Sequence, residues 1–455
     1  MSTVVAISTA PGTGGVGIIR ISGKESFKII NKIFAPKSKE NTEKGYTIKY
    51  GHIVHPESKN VLDEVLVSYF VEPKSYTTED MCEINSHGGI VVMNQILELC
   101  LENGAEMAQP GEFTKRAFLN GRIDLVESEA IIDIINAKSK MESKTAAMQL
   151  EGKLSTKIKE IQEKGISIMS DIEASIDYPE YDIEEVTEKK VRDVLEEIRE
   201  LLTQLEESFE TGKIIKEGIR TAIIGTPNAG KSSLLNAMLE EDRAIVTEIE
   251  GTTRDTIEEL ITIKGVPVKI IDTAGIRDAE NKIEKIGIEK SKKVAEDADL
   301  IIAIFDGSKS IKKEDEEILE LIKDKKSIIV INKEDLGLTH EDLFIEKNSG
   351  KPIVHISARN KTNIEQIYEE ILKMFKINEI EIDTSVTITN SRHKDLINKA
   401  KKSTNKAIES VGVKMPIDVV AIEIKNVLES LGKITGDDVT EDVIKDIFSK
   451  FCLGK

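Results

Sequence analysis

Gly225-Thr226-Pro227-Asn228-Ala229-Gly230-Lys231-Ser232 is the stretch that decides the fold. It fits the pattern G-x-x-x-x-G-K-[ST], follows the apolar run Thr221–Ile224 and precedes a helical stretch. In that setting the loop's backbone N–H groups cradle phosphates, Lys231 reaches the β and γ oxygens, and the Ser232 hydroxyl ligates Mg²⁺. A glycine-rich turn without function also fits the bare pattern, but a strand before it and a helix after it argue against that reading. Further along, the apolar runs Pro267–Ile271, Leu300–Phe305, Ser327–Ile331 and Ile353–Ile356 alternate with helical stretches across residues 216–376. Strands interleaved with helices predict a mostly parallel sheet covered on both faces.

Each later motif stands at a strand's C-terminal end. In Asp272-Thr273-Ala274-Gly275, the acid suits Mg²⁺ through its water shell and the Gly275 N–H suits the γ-phosphate. In Asn332-Lys333-Glu334-Asp335, Asp335 suits the amino and imino groups of guanine, which adenine cannot supply. Ser357-Ala358 would support the base. These elements in this order predict GTP binding by a Ras-like P-loop G domain running from about Arg220 to about Met374. The residue after Gly275 is Ile276, where Ras-type enzymes carry a water-orienting Gln. Either hydrolysis is negligible or another group does that work. Gly251-Thr252-Thr253-Arg254-Asp255 reads as switch I, with Thr253 a second Mg²⁺ ligand. Asn228, with switch I carbonyls, could hold a monovalent cation that supplies the charge of an arginine finger. Its other reading is a turn residue chosen for local hydrogen bonds.

On either side the pattern changes. Residues 1–118 alternate apolar and polar in the short runs Val4–Ile7, Gly17–Ile21, Tyr46–Val54 and Val61–Phe70, an α+β domain. Residues 119–215 are helical: Val191, Val194, Leu195, Ile198, Leu201, Leu202, Leu205 and Phe209 recur at about 3.6 residues per turn. Tyr178-Pro179-Glu180-Tyr181 marks a break between two helices. Residues 377–455 return to helical periodicity, with Val420, Ile424, Val427, Leu428 and Leu431 in one stripe. The simplest architecture is an α/β domain inserted into a discontinuous helical domain, behind an N-terminal α+β domain. Gly12-Thr13-Gly14-Gly15-Val16-Gly17 matches G-x-G-x-x-G, but Ile18-Ile19-Arg20-Ile21 after it reads as a strand. A dinucleotide site needs a helix there, so neither NAD nor FAD is expected.

Composition narrows the class. The chain has 455 residues, too many for one core, with 39% hydrophobic and 32% charged residues. A net charge of −19 argues against a dedicated nucleic-acid module unless a basic patch is concentrated locally. Cys82, Cys100 and Cys452 form no C-x-x-C pair, so neither zinc nor a disulfide framework is expected. The tail after Cys452 does not fit a prenylation signal. With no signal-peptide pattern and no bilayer-length apolar run, the expected location is cytoplasmic, with no membrane contact.

Several stretches carry a family resemblance. The run Pro227–Asn236, then Ala244-Ile245-Val246-Thr247, then Gly251–Asp255 and Glu284-Lys285-Ile286-Gly287-Ile288-Glu289, resembles both tRNA modification GTPases and ribosome-assembly GTPases. The outer segments decide between them: Pro11–Gly23, the run 110–122 (Pro-Gly-Glu-Phe-Thr-Lys-Arg-Ala-Phe-Leu-Asn-Gly-Arg) and Phe451-Cys452-Leu453-Gly454-Lys455. The whole chain is similar to the tRNA modification GTPases of the MnmE or TrmE family.

The resemblance implies a folate-binding N-terminal domain that also dimerises, a split helical domain and an inserted G domain. It implies a homodimer working with a flavin-dependent partner of the MnmG or GidA type, in a heterotetramer or larger assembly. The implied product is an aminomethyl or carboxymethylaminomethyl group at C5 of the wobble uridine of certain tRNAs. It further implies GTP hydrolysis activated by K⁺ and by contact between two G domains. Carried over by position, K⁺ would be held by Asn228, Thr247, Ile249 and Thr252, and Mg²⁺ by Ser232 and Thr253. The GTP site would also take in Ala229, Gly230, Lys231, Ser233, Asp272, Thr273, Ala274, Gly275, Asn332, Lys333, Asp335, Ser357 and Ala358.

Glu284 would orient the attacking water through a second water; its plainer reading is a surface acid pairing with a Lys. Arg20, Glu83, Arg122 and Lys455 would bind a 5-formyltetrahydrofolate-type donor, or are simply surface charges. Cys452 matches a family cysteine with a direct chemical role, or is a terminal residue docked at an interface. Thr78 departs from the pattern, which has Gly there. The alternatives are a ribosome-assembly switch docking on rRNA and a folate-binding protein with a vestigial G domain. The first usually carries a basic RNA-binding domain or a second G domain, which the residues after Met374 lack. The second is opposed by intact phosphate, Mg²⁺ and guanine motifs.

Overall fold

The computed structural model describes residues 1–37, 45–177, 188–242, 259–271, 294–338, 350–375, 377 and 386–455. The chain divides into two compact units. One contains Met1–Ile132, Gln149–Gln162 and Lys425–Lys455; the other contains Asp133–Met148 and Glu163–Ile424.

The first unit is built on β1 (Val4–Ile7), β2 (Gly14–Ser22), β3 (Phe34–Pro36), β4 (Thr47–Val54), β5 (Val61–Phe70), β6 (Met81–Gly88) and β7 (Glu106–Met107). They form one sheet in the order β3-β4-β5-β6-β2-β1-β7. The pairs are antiparallel except β1 with β7. Alternation sends Ile19 and Ile21 of β2 and Val65, Val67 and Tyr69 of β5 into the core. There they meet Ile29, Ile30 and Ile33 of α1 (Ser26–Ile33) and Ile96, Leu99 and Cys100 of α2 (Ile90–Glu102). Each such aliphatic side chain contributes about 1.5–3 kcal/mol by leaving water. The same alternation puts Arg20 on the opposite face, in register with Glu83 of β6. Residues 14–17 of the glycine-rich segment lie within strand β2, which continues through Ile18–Ile21 as expected.

The remaining helices are α3 (Glu112–Leu119), α4 (Leu125–Asn136), α5 (Lys140–Leu150), α6 (Lys153–Asp177), α7 (Glu188–Glu217), α8 (Lys231–Asp242), α9 (Lys313–Ile322), α10 (Ile364–Met374), α11 (Ser391–Gly412), α12 (Ile417–Thr435) and α13 (Glu441–Ser449). In the first unit, Ala117 of α3 and Leu125 and Ile131 of α4 pack with Ile447 and Phe448 of α13 and with Phe451. The expected break at Tyr178–Tyr181 lies outside the described residues.

In the second unit, β8 (Ile219–Ile224), β9 (Glu259–Ile263), β10 (Val266–Ile271), β11 (Leu300–Asp306), β12 (Ser327–Asn332) and β13 (Ile353–Ile356) form a sheet in the order β13-β12-β11-β8-β10-β9. All pairs are parallel except β9 with β10. On one face Ile223, Ile302, Ile304 and Val330 pack against Leu234 and Met238 of α8 and Ile367 and Ile371 of α10. On the other, Ile224, Ile301, Phe305 and Ile329 pack against Ile318 and Ile322 of α9. Both faces are therefore dry, which is why these strands read as unbroken apolar runs. α7 buries Val191, Leu195, Ile198, Leu202, Leu205 and Phe209, with Val194 and Leu201 half-buried at the stripe's edge, and packs along α11. In α12, Val420, Ile424, Val427 and Leu431 are buried and Leu428 is half-buried. Among the described residues no helix is long and apolar enough to cross a membrane.

Candidate functional site

Residues 225–230 form the turn that joins β8 to α8, and Lys231 is the first residue of the helix. Such a helix N-terminus presents unpaired N–H groups and a positive dipole end to an anion. Asn228 is held at φ 64° and Gly230 at φ 108°. Gly230 is required on two counts: its backbone is left-handed, and a Cβ there would stand 2.1 Å from the Asn332 side-chain nitrogen. Lys231 Nζ folds back to donate to the carbonyls of Gly225 (2.7 Å) and Thr226 (3.0 Å). Among the described residues no carboxylate pairs with it, and burial pushes its ammonium below the ordinary lysine value. A neighbouring polyanion would favour the charged form of such a group. Thr226 is itself tied down, its hydroxyl donating to Asp315 of α9 at 3.1 Å.

The Asn332–Asp335 motif closes onto this loop. Asn332 is buried; its Nδ2 donates to the Ala229 carbonyl (2.9 Å) and its Oδ1 accepts from the Ala358 N–H (3.0 Å). One side chain thus joins the phosphate loop to the segment after β13. Lys333, at φ 69°, donates from Nζ to the Asn228 carbonyl (2.9 Å) and to Asp306 (2.6 Å). Burial pushes the Asp306 carboxyl up, but hydrogen bonds from Lys333, Ser308 and Lys309 outweigh it and hold it at about 2. Ser357 Oγ donates to Asp335 Oδ1 at 2.6 Å, which fixes the plane of the carboxylate. Asp306 and Asp315 belong to no motif; they mark only a strand end and a helix first turn, common places for an acid.

The hydroxyl of Ser232 and the amide oxygen of Asn228 are hard oxygen donors, the type that suits Mg²⁺ and K⁺. Ser233 follows in the first turn of α8. Thr247, Ile249, Thr252, Thr253, Asp272, Thr273, Ala274, Gly275, Ile276 and Glu284 lie outside the described residues.

A second polar cluster lies in the first unit. Arg20 donates to Glu83 Oε1 from Nε (2.9 Å) and Nη2 (2.8 Å). Its Nη1 reaches the Gly454 carbonyl at 3.4 Å, which also accepts from the Ser8 hydroxyl at 2.9 Å. The last residues are pinned by two more bonds, Gly111 N to Cys452 O (3.4 Å) and Phe113 N to Lys455 O (3.1 Å). Gly454 has φ 90°, and a Cβ there would lie 2.2 Å from the Ile7 carbonyl. Burial, and then the charge of Arg20, push Lys455 below the usual lysine value. The Tyr76 ring centroid lies 5.1 Å from the Arg20 guanidinium carbon and 4.6 Å from that of Arg122. The structure thus brings Arg20 and Arg122 to the Tyr76 ring, with Glu83 bonded to Arg20, Phe113 5.5 Å from Arg20, and Lys455 within the fields of Arg20 and Glu83. Three cations against one paired acid suit an anionic ligand, and two aromatic rings suit a flat heterocycle, so a folate fits. Cys452 is exposed, whereas Cys82 and Cys100 are buried. Tyr76 and Phe113 stand inside quoted motifs, but spacing alone did not show that they meet Arg20.

The two stretches of the chain match two family models. Residues 3–122 match "GTP-binding protein TrmE N-terminus" and residues 125–452 match "MnmE helical domain". A relative from Acetivibrio thermocellus, named tRNA modification GTPase MnmE, is 50% identical over 454 residues, covering 100% of this chain and 99% of its own. The chain belongs to the MnmE family of tRNA modification GTPases. MnmE relatives from Clostridioides difficile (47% identical, 100% of this chain and 99% of theirs) and Lactobacillus delbrueckii subsp. bulgaricus (46%, 100% and 98%) carry the same name. Against solved structures, the G domain of the T. maritima FeoB iron transporter aligns with 34% of this chain and 98% of its own, at 24% identity and a TM-score of 0.25. That likeness is too low to add to the MnmE assignment.

Proposed function

We propose that this chain hydrolyses GTP in a K⁺-activated cycle that drives modification of C5 of the wobble uridine of certain tRNAs. It acts as a homodimer in the cytoplasm, with a flavin-dependent partner of the MnmG type. The observation that carries the nucleotide reading is the Asn332 side chain, bonded at once to the phosphate loop and to the segment behind the guanine-reading Asp335. Membership of the MnmE family supplies the tRNA reading.

Lys231 and the N–H groups of residues 228–233 hold the phosphates, and Ser232 with Thr253 takes Mg²⁺. Asp335, with its plane set by Ser357, accepts from the guanine edge while Lys333 lies against the base. Asn228, with the carbonyls of Thr247, Ile249 and Thr252, takes K⁺. The bound cations supply positive charge where the leaving phosphate gains negative charge. Glu284 holds the attacking water through a second water, the task Ile276 cannot perform. Arg20, Glu83, Arg122 and Lys455 bind a 5-formyltetrahydrofolate-type donor, whose chemistry is the supply of a one-carbon unit.

The test is steady-state GTP turnover in KCl against NaCl at equal ionic strength and fixed Mg²⁺. Turnover in K⁺ is expected to exceed that in Na⁺ several-fold. Asn228→Ala removes the difference, and Glu284→Ala lowers turnover with GTP binding intact. Equal slow rates in both salts would reject the cation mechanism.

A further inference from the structure

We infer that Tyr76 is the positioning residue of the first unit's anion site: its ring holds Arg20 and Arg122 together so that both face one ligand. Two guanidinium carbons lie within about 5 Å of one ring centroid, at 5.1 and 4.6 Å. The two positive groups repel one another, and the ring's negative face attracts each of them. Arg20 has a second anchor in Glu83. Arg122 is exposed and, among the described residues, pairs with no carboxylate, so the ring is what fixes it.

The ring is itself held rigidly. Its hydroxyl bonds the Thr114 hydroxyl at 2.9 Å, and Thr114 is fully buried in α3. The next residue, Thr77, is fully buried, with its hydroxyl 2.6 Å from that of Ser22 and its carbonyl accepting from Asn120 at 2.7 Å. Tyr76 also borders two apolar clusters, one around Phe448 and one around Phe113. A core aromatic needs only those contacts; the two guanidinium groups are what they leave unexplained. The identity of the ligand rests on the folate reading above, whereas the placing of Arg122 does not.

Two measurements on the full-length protein separate the two. The first is titration calorimetry with 5-formyltetrahydrofolate. Tyr76→Phe, which keeps the ring, stays within about threefold of the parent, and Tyr76→Met, which fills the space without a ring, loses about tenfold or more. Combined with Arg122→Gln, Tyr76→Met adds little to the loss from Arg122→Gln alone, because both remove the Tyr76–Arg122 contact while Glu83 still anchors Arg20. The second is the Arg122 Nε–Hε resonance without ligand. It is shifted upfield by the ring in the parent and in Tyr76→Phe, and returns to the exposed-arginine position in Tyr76→Met. If the parent binds no folate but the resonance moves as stated, the folate reading fails and the placing of Arg122 by Tyr76 stands. An unmoved resonance in Tyr76→Met, or losses that simply add, overturns the inference.

Discussion

Thr78 is a β-branched residue at φ 60°, in the left-handed region that such side chains avoid. The resemblance marks this position as one where the family carries Gly, and the backbone supplies the reason. Its neighbours leave it little choice: Thr77 is locked to Ser22 and Asn120, and Glu79 Oε2 bonds Ser22 and Arg116. The Thr78 hydroxyl bonds the Thr77 carbonyl at 2.7 Å, a partial compensation. Thr78→Gly is therefore expected to stabilise the protein by about 1 kcal/mol, net of the greater freedom Gly gains on unfolding. Calorimetry should show the rise as a higher midpoint in one transition. An unchanged or lowered midpoint would mean that the loop already accommodates the strain.

Helix α3 shows what an element needs beyond its own pattern. Arg116 is buried at 3% exposure and bonds Glu79 (2.9 Å) and Glu112 (2.7 Å), tying the helix to the loop that carries Tyr76. Removing the guanidinium leaves two half-buried carboxylates without their cation, a loss of about 3–5 kcal/mol. Arg116→Met should accordingly lower the urea midpoint followed by circular dichroism far more than Lys115→Met, on the helix's next position. Equal midpoints for the two variants would show that water reaches the acids.

The long strands and the α7 stripe were legible in the sequence because burial on one face or two writes its period directly into residue type. Strand β9 has no such signature: it is a short edge strand, and only the two-residue link Lys264-Gly265, both at positive φ, marks its hairpin with β10. Of the nucleotide site, the sequence supplied every residue that touches the phosphate loop from Asn332 and Lys333. It did not supply Asp306 or Asp315, since their partners come from strands and helices distant in the chain.

At the scale of the whole molecule, each polar site is assembled inside a single unit. Lys231, Asn332, Asp335 and Ser357 belong to one, and Arg20, Glu83, Arg122 and Lys455 to the other. GTP binding and the proposed folate binding are therefore expected to be separable at the level of single side chains. On the folate reading proposed above, Glu83→Gln should weaken 5-formyltetrahydrofolate binding markedly, because the negative charge that anchors Arg20 is lost. The same variant should leave GTP affinity within about twofold of the parent, as expected when two sites share no residue. A matching loss of GTP affinity would instead reveal a coupling free energy between the sites, which by reciprocity would appear in folate affinity on adding GTP.

The 2.1 Å approach of a Gly230 Cβ to the Asn332 amide has a consequence for how this sequence can drift over generations. The two positions lie about a hundred residues apart in the chain, yet neither can change first without harm. A larger residue at 230 drives the amide off the Ala229 and Ala358 bonds, and a shorter one at 332 leaves that carbonyl and N–H unpaired. A change at either position alone is therefore expected to disturb the phosphate loop, so that the two are free to vary only together.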